Sequence, residues 1–265
     1  MNIELENNSA PSIEKFFKER EIESIVLDLD NTLFATDEYY VGVFTEMAMD
    51  MAEHLKSTKP SEIIVKEYIQ NIHIAFIKNG SRPRLIEEQC IEGLDMYLGD
   101  RSEELKSEIM GNKLDDFYRT VPALYENSIS TLRAICNTGV NMAFHSNAQW
   151  HWTERKVNRI GEGLRDLNPP LPFLATDITK EKDKESWLSA FSLVGGSTKH
   201  IVAGGDNVYF DLIPPLQVGC KYVVWLNRKN APVPDILYEY KKKGKYIYMI
   251  KDIGDLRYIS DNNLI

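Results

Sequence analysis

The chain has 265 residues, and 43% of them are hydrophobic, which is enough for a sizeable buried core. Its formal net charge of −9 argues against nucleic-acid and anionic-membrane partners, because phosphate backbones and anionic leaflets attract clustered Lys and Arg. The three cysteines are widely spaced without metal-ligand spacing, so we expect reduced core residues. With no secretion signal and no run of about 20 apolar residues, we expect a cytoplasmic protein.

The N-terminal part of the sequence predicts a loose start, a short helix and a buried strand. Residues 1–11 are polar and rich in Asn. Apolar residues recur at helical spacing over residues 12–20, with Ser12 as the N-cap. Residues 25–27 form an uninterrupted apolar run, typical of a strand buried on both faces of a parallel sheet. This run ends at Asp28.

Asp28 and Asp30 lie at the end of this first strand. Because they are two residues apart, both side chains leave the same face if the strand persists to Asp30. Two nearby carboxylates repel each other, so such a pair needs a shared proton or a divalent cation. The alternative is that the two residues only end the strand and start a turn.

Residues 37–119 predict a helical insert. Apolar residues recur at helical spacing in four segments, and no strand pattern separates them. Pro60 and Ser61 open the second helix, and Gly99 follows the third. The fourth is predicted over residues 105–117. Several consecutive helices do not fit a βαβ alternation, and they indicate an inserted helical bundle.

After Pro122 the alternation of strands and helices resumes. The pattern predicts helices over 125–137, 149–164 and 183–194, and strands over 141–145, 171–175, 200–203, 222–226 and 246–250. On the helix over 149–164 we expect a basic face from Arg155, Lys156 and Arg159. The predicted fold is therefore α/β, with a doubly wound, Rossmann-like parallel sheet from residues 1–36 and 120–265 and a helical domain from residues 37–119.

The first strand and its acids carry a family resemblance. The sequence Ile-Val-Leu-Asp-Leu-Asp-Asn-Thr-Leu-Phe resembles the first signature of the haloacid dehalogenase (HAD) superfamily, most of whose members hydrolyse phosphate monoesters. The resemblance implies that Asp28 is the nucleophile that becomes an aspartyl phosphate and that Asp30 is the general acid and base. It also implies that both residues hold Mg²⁺ and that Thr32 contributes to phosphate binding. The insert after the first strand would then be a cap domain, with residues 31–37 as its hinge.

A second stretch at a strand end is suited to phosphate binding. Residues 140–147, with the helix before them, resemble the second signature of the same superfamily. The resemblance implies that Ser146 and Asn147 bind phosphate. A single Ser at a strand end would more often cap a helix.

The stretch over residues 204–211 combines two glycines with two acids. The glycines allow a tight turn at a strand end, which points Asp206 at the edge that holds Asp28. This stretch resembles the fourth signature, and the resemblance implies that Asp206 is the third Mg²⁺ ligand, with Asp211 in support. Oxygen ligands of this kind suit Mg²⁺.

A lysine is expected to neutralise the charge between the nucleophile and the phosphate, and three compete. Lys180, Lys182 and Lys184 lie together before a predicted helix, and the Lys-Pro pair of many relatives is absent. We favour Lys184, which follows the predicted N-cap and whose distance along the chain from Asp206 resembles one branch of the superfamily. Lys182 is the alternative.

Aromatic residues after the second strand of the predicted core offer another interpretation. His145, Trp150, His151 and Trp152 would stack on a substrate if they bordered the site. We interpret His145 as a satisfied strand residue and the tryptophans as packing or edge residues.

The combined motifs predict a magnesium-dependent hydrolase of small phosphate monoesters that works through an aspartyl phosphate. The alternatives are a phosphomutase of the same superfamily and a non-catalytic binding or regulatory module on the same fold. A haloacid dehalogenase has no need of a second acid at Asp30. The expected partner is a small phosphorylated metabolite, with no nucleic acid and no membrane, and the chain is expected to be a monomer or homodimer.

Overall fold

A central sheet of six parallel strands organises the computed structural model, which describes residues 12–54, 59, 61–78, 86–98, 117–177 and 180–265. The strands lie in the order β3-β2-β1-β4-β5-β6. They are β1 (Ser24–Leu27), β2 (Asn141–Ser146), β3 (Phe173–Ala175), β4 (Ile201–Gly205), β5 (Tyr222–Leu226) and β6 (Tyr246–Ile250). Every residue of β1, β4 and β5 is buried, as expected for strands covered on both faces. The predicted α/β fold with a doubly wound parallel sheet is confirmed.

Helices cover both faces of this sheet. They include α1 (Ile13–Glu19), α2 (Thr36–His54), α3 (Ser61–Lys78), α4 (Ile86–Leu98), α5 (Ser128–Asn137), α6 (Trp150–Gly163), α7 (Lys184–Ser192), α8 (Ile213–Gln217) and α9 (Asp235–Lys242). Two caps act as the sequence predicts, because Ser12 accepts a hydrogen bond from the Lys15 amide and Asp183 accepts one from the Ser186 amide. One apolar cluster lies on each face of the sheet.

The register of the three central strands brings the predicted motifs to one edge. β1 lies between β2 and β4, and its last residue, Leu27, pairs with Phe144 and Gly204. Because all three strands are parallel, their carboxyl ends meet at the same rim of the sheet. Ser146, the last residue of β2, therefore lies at the same rim as Asp28 and Asp206, which directly follow β1 and β4.

The helical insert packs around an apolar cluster of its own. The members from α2, α3 and α4 include Phe44, Met47, Ala48, Met51, Ile64, Tyr68, Ile72 and Leu94. Phe117, Tyr118, Ala148 and Trp152 belong to the same cluster, so the insert packs directly on α6 of the sheet domain. The predicted fourth helix, over residues 105–117, lies almost entirely outside the described residues, and the domain boundaries stay a prediction.

Two of the three cysteines have side chains among the described residues. Cys220 is buried and Cys136 is partly buried, and both are free thiols. Burial raises the pKa of the Cys220 thiol to about 11, which makes it unreactive near neutral pH. The side chain of Cys90 lies outside the described residues.

Within the described ranges, none of the helices is both long and apolar enough to cross a lipid bilayer.

Candidate active site

Three carboxylates converge at the carboxyl end of β1 and β4. Asp28 directly follows β1 and is 4% exposed, and its amide donates to the Gly204 carbonyl at 2.8 Å. Each of Asp28, Asp206 and Asp211 offers a carboxylate oxygen to a cluster whose atoms all lie within 4.8 Å of one another. The structure thus brings together three of the four acids that the sequence assigned to the site.

The turn after β4 depends on a glycine. A Cβ on Gly205 would lie 2.4 Å from Asp211 Cγ, so only glycine allows the carboxylate to pack there. Asp211 Oδ2 accepts a hydrogen bond from the Asn207 amide at 3.0 Å, and the Asp211 amide donates to the Asn207 carbonyl at 2.7 Å. The loop therefore holds Asp211 in one orientation beside the other acids.

Lys182 is the lysine of this cluster. Its side chain is 3% exposed, and Nζ donates to Asp28 Oδ1 and, at 2.8 Å, to Asp211 Oδ1. From the sequence we favoured Lys184 as the lysine beside the nucleophile. That placement is wrong, because Lys184 is exposed at the first position of α7. The reason is that Asp183 caps α7, so Lys184 already belongs to the helix, whereas Lys182 lies in the preceding loop. Lys180 is also exposed.

The second acid of the first motif has a separate set of partners. Asp30 Oδ1 accepts hydrogen bonds from Thr36 Oγ1 at 2.6 Å and from Lys156 Nζ, and Oδ2 accepts one from Ser146 Oγ at 3.0 Å. The Asp30 side chain remains 23% exposed. Its carboxylate is not part of the three-carboxylate cluster.

The predicted phosphate-binding side chains lie next to these acids. Thr32 Oγ1 donates to Asp28 Oδ2 at 2.8 Å, and Ser146 donates to Asp30. Asn147 Oδ1 is buried and has no hydrogen-bond partner among the described residues. All three side chains therefore lie close to the rim of the sheet, and their phosphate-binding role stays a prediction.

Lys156 is the site residue that sequence reasoning missed. We placed it on a basic surface with Arg155 and Arg159, and that placement is wrong, because Lys156 is fully buried. The sequence does carry a signal for this. Lys156 follows Trp152 by four residues and precedes Ile160 by four, so it falls on the buried face of α6.

The aromatic candidates separate into packing and surface residues. Trp152 is 1% exposed and belongs to the apolar cluster of the insert, whereas Trp150 is 59% exposed. His145 is buried on β2, where Nε2 contacts Thr176 Oγ1 at 2.8 Å and Nδ1 has no partner among the described residues. Burial, together with the charge of Lys182, holds the pKa of His145 well below its ordinary value. His145 is therefore a neutral interior residue.

Burial and crowding raise the proton affinity of two of the clustered acids. Burial, opposed by Lys182 and reinforced by neighbouring carboxylates, raises the pKa of Asp28 to about 7. Burial and the charges of Asp28 and Asp211 raise the pKa of Asp206 to about 8. Without a cation, this cluster therefore holds protons at pH values where an ordinary Asp is ionised.

Asp30 is shifted in the opposite direction. Burial by itself would raise its pKa, but the adjacent Lys156 ammonium, together with the Thr36 and Ser146 hydroxyls, lowers it below its ordinary value. Burial also disfavours the charged form of Lys182. The carboxylates of Asp211 and Asp28 favour that form, and the net effect raises the pKa of Lys182 above its ordinary value. Each acid of the first motif therefore has its own lysine, Lys182 at Asp28 and Lys156 at Asp30.

The cluster fits a divalent cation that prefers oxygen ligands. Asp28, Asp206 and Asp211 supply only carboxylate oxygens, and the described residues place no His or Cys among them. Hard oxygen donors of this kind are typical ligands of Mg²⁺. The raised pKa values of Asp28 and Asp206 reflect an excess of negative charge that a dication would offset.

Comparisons with known proteins identify the fold. No family model and no curated protein matches the chain in sequence. The structure is similar to a magnesium-bound Bacillus subtilis protein assigned to the HAD hydrolases, at 14% identity and a TM-score of 0.61, covering 89% of this chain and 96% of that one. A HAD phosphatase from Thermococcus onnurineus matches at 16% identity and a TM-score of 0.55, over 89% and 96% of the two chains. A 2-haloacid dehalogenase from Pseudomonas syringae matches at 19% identity and a TM-score of 0.55, over the same shares. The chain therefore has the fold of the haloacid dehalogenase superfamily.

Proposed function

We propose that this protein is a magnesium-dependent hydrolase of small phosphate monoesters that works through an aspartyl phosphate on Asp28. The observation that carries the proposal is the position of Lys182, whose ammonium contacts both Asp28 and Asp211 beside Asp206. A nucleophilic carboxylate with a lysine and further acids suited to a dication is the arrangement that phosphoryl transfer needs, because this reaction relies on positioning and charge stabilisation.

The reaction proceeds in two displacements at phosphorus. In the first, an Asp28 oxygen attacks the phosphorus atom and the bond to the ester oxygen breaks, while Asp30, which enters this step protonated, gives its proton to the leaving oxygen. In the second, Asp30 takes a proton from water, the water oxygen attacks the aspartyl phosphate, and inorganic phosphate leaves as the Asp28 carboxylate returns. The adjacent but separately bonded positions of the two acids support this division of roles.

The phosphoryl oxygens require positive charge and hydrogen-bond donors. The Lys182 ammonium supplies charge, and the hydroxyls of Thr32 and Ser146 and the amide of Asn147 supply neutral donors. Mg²⁺, when bound, would supply further positive charge that stabilises the transferred group. Its ligands would be Asp28, Asp206 and the main-chain carbonyl of Asp30, with Asp211 in support.

The test is hydrolysis of 4-nitrophenyl phosphate with Mg²⁺ or with EDTA. We expect Mg²⁺-dependent release of phosphate, and a loss of at least about 10³-fold in kcat for Asp28→Asn. Asp166→Asn is the matched control, because it makes the same chemical change at an exposed carboxylate that pairs with Arg133. Activity that persists in EDTA, or that survives Asp28→Asn, would overturn the proposal.

A dehalogenase deserves a direct comparison, since the similar structures include one. A dehalogenase would use Asp28 on carbon and would not need Asp30. We therefore expect no chloride release from 2-chloropropionate under conditions where phosphate is released. Release of inorganic phosphate, in place of transfer to a second position of the substrate, separates the hydrolase from a phosphomutase.

A further inference from the structure

The structure contains a second buried lysine that the proposed reaction does not use. Lys156 lies in the middle of α6 with 0% exposure, and its Nζ pairs with Asp30 Oδ1. In the described part of the chain, Asp30 is its only ion-pair partner. Burying an ammonium group is costly unless it is paired, so this lysine is held in place by the carboxylate of the acid–base residue.

The three donors to Asp30 come from three different elements. Thr36 lies at the start of α2, Ser146 ends β2, and Lys156 belongs to α6. The two hydroxyls bind one carboxylate oxygen each, and Lys156 adds the single charged donor, on Oδ1. Since a charge-assisted hydrogen bond is about twice as strong as a neutral one, Lys156 contributes most to fixing the carboxylate.

The other side of the Lys156 ammonium faces an aromatic ring. Nζ lies 3.4 Å from the centroid of the Trp152 ring, one helical turn earlier on the same face of α6. Trp152 Nε1 donates to the Thr120 carbonyl at 2.9 Å. The Trp152 ring also stacks with Tyr40 of α2, with centroids 6.1 Å apart, and contacts Phe117 at 5.5 Å.

These contacts connect the acid–base residue to both ends of the helical insert. Tyr40 lies in the first helix after the catalytic acids, and Thr120 lies in the segment that returns to the sheet. The two connections run side by side, because the Ala35 amide donates to the Ala123 carbonyl at 2.8 Å. Trp152 therefore fixes Lys156 against the part of the chain where the insert joins the sheet domain.

We propose that Lys156 is a positioning residue that holds the Asp30 carboxylate in place for proton transfer, and that Trp152 fixes Lys156 for this task. The inference rests on the proposed function. Loss of the ammonium leaves Asp30 with two neutral donors and lets its carboxylate turn away from the leaving oxygen. Lys156 donates its hydrogen bond to Asp30, whereas Lys182 donates to Asp28 and Asp211. We therefore expect loss of Lys156 to impair proton transfer more than phosphate binding.

The test compares 4-nitrophenyl phosphate with phenyl phosphate, which have nearly the same shape but differ in how strongly the leaving oxygen needs a proton. For Lys156→Met we expect kcat to fall about 10-fold on the first substrate and about 100-fold on the second, with KM changed less than about threefold. Lys156→Arg keeps the charge and should recover part of the loss. Arg155→Met is the control, because it removes an exposed charge from the same helix and should leave both rates unchanged.

Trp152→Phe is the second variant, because it keeps a ring but removes the bond to Thr120. We expect a smaller loss in kcat, about three- to tenfold, again larger on phenyl phosphate. If Lys156→Met does not fold, the substrate comparison with Trp152→Phe decides the question. Equal losses on both substrates, a loss confined to KM, or wild-type kcat in a folded Lys156→Met protein would overturn the positioning role alone. No phosphate release by the wild-type protein would overturn the proposed function and this role together.

Discussion

Replacing Asp206 by Asn should stabilise the metal-free protein, and the gain should grow with pH. The pKa of Asp206 is raised to about 8 in the folded protein, whereas the same carboxyl group in the unfolded chain has a pKa of about 4. A raised native pKa gives stability that is fully present below the unfolded pKa and is lost as pH rises through the native pKa. The stability that Asp206 contributes to the metal-free wild-type protein should therefore be lost as the pH rises from about 4 to about 8, and Asp206→Asn removes this pH dependence.

The size of the effect follows from the shift. One pKa unit corresponds to about 1.4 kcal/mol, so a shift of about four units sets an upper limit of about 6 kcal/mol. Because Asp206 is not fully buried, and water and local relaxation screen its charge, we expect about half of this value or less. Asp206→Asn should then raise the free energy of unfolding by about 2–3 kcal/mol near pH 8 and by under about 1 kcal/mol near pH 5.

The assay is urea unfolding in EDTA and in excess Mg²⁺, at about pH 5, 7 and 8, with unchanged m-values as the check that only stability differs. Mg²⁺ should stabilise the wild-type protein, because it binds the folded state, and it should stabilise Asp206→Asn less. The difference in the free energy of unfolding between the two proteins should therefore shrink or change sign in Mg²⁺. Asp166→Asn, at an exposed surface pair, should show neither effect. An Asp206→Asn protein that is less stable than wild type in EDTA near pH 8 would refute the reasoning.

Two further substitutions, each with a comparison variant, test how the site is built. Lys182→Met should lower the free energy of unfolding by about 3–5 kcal/mol in urea titrations and kcat by at least about 10²-fold, because it leaves two buried carboxylates without their ammonium. Lys184→Met should change neither quantity, and equal effects of the two would contradict our placement. Gly205→Ala should cost about 1–3 kcal/mol, because its Cβ would lie 2.4 Å from Asp211 Cγ. Gly42→Ala, with nothing within 4 Å of its Cβ in an exposed turn of α2, should instead gain up to about 1 kcal/mol in thermal unfolding.

The sheet could be predicted from the sequence because each of its central strands is a short apolar run that ends in polar or glycine residues. β5 and β6 have the predicted bounds, Tyr222–Leu226 and Tyr246–Ile250. β3 is shorter than predicted, Phe173–Ala175, and all three of its residues are only partly buried at the edge of the sheet. An edge strand has a neighbour on one side only, so its ends depend on contacts that the local pattern does not carry.

The acids of the site were also predictable, because they follow strands that the parallel register brings to one rim. The lysines were not. Lys182 and Lys184 differ by two positions, and the choice between them depends on where α7 begins, which the Asp183 cap decides. The burial of Lys156 could not be predicted, because a charged residue on an amphipathic helix is normally solvated. It is explained by the position of Asp30 beside α6, where the two side chains form an ion pair.

The pairing of the two buried lysines leaves an excess of negative charge in the acid cluster. Lys156 balances Asp30, and Lys182 is shared between Asp28 and Asp211, so the charge of Asp206 has no ammonium partner among the described residues. The metal-free cluster relieves this excess by holding protons, as the raised pKa of Asp28 shows. A protonated carboxylic acid is a poor nucleophile, so a dication at the cluster would do more than bind phosphate, because it would also keep Asp28 ionised at neutral pH.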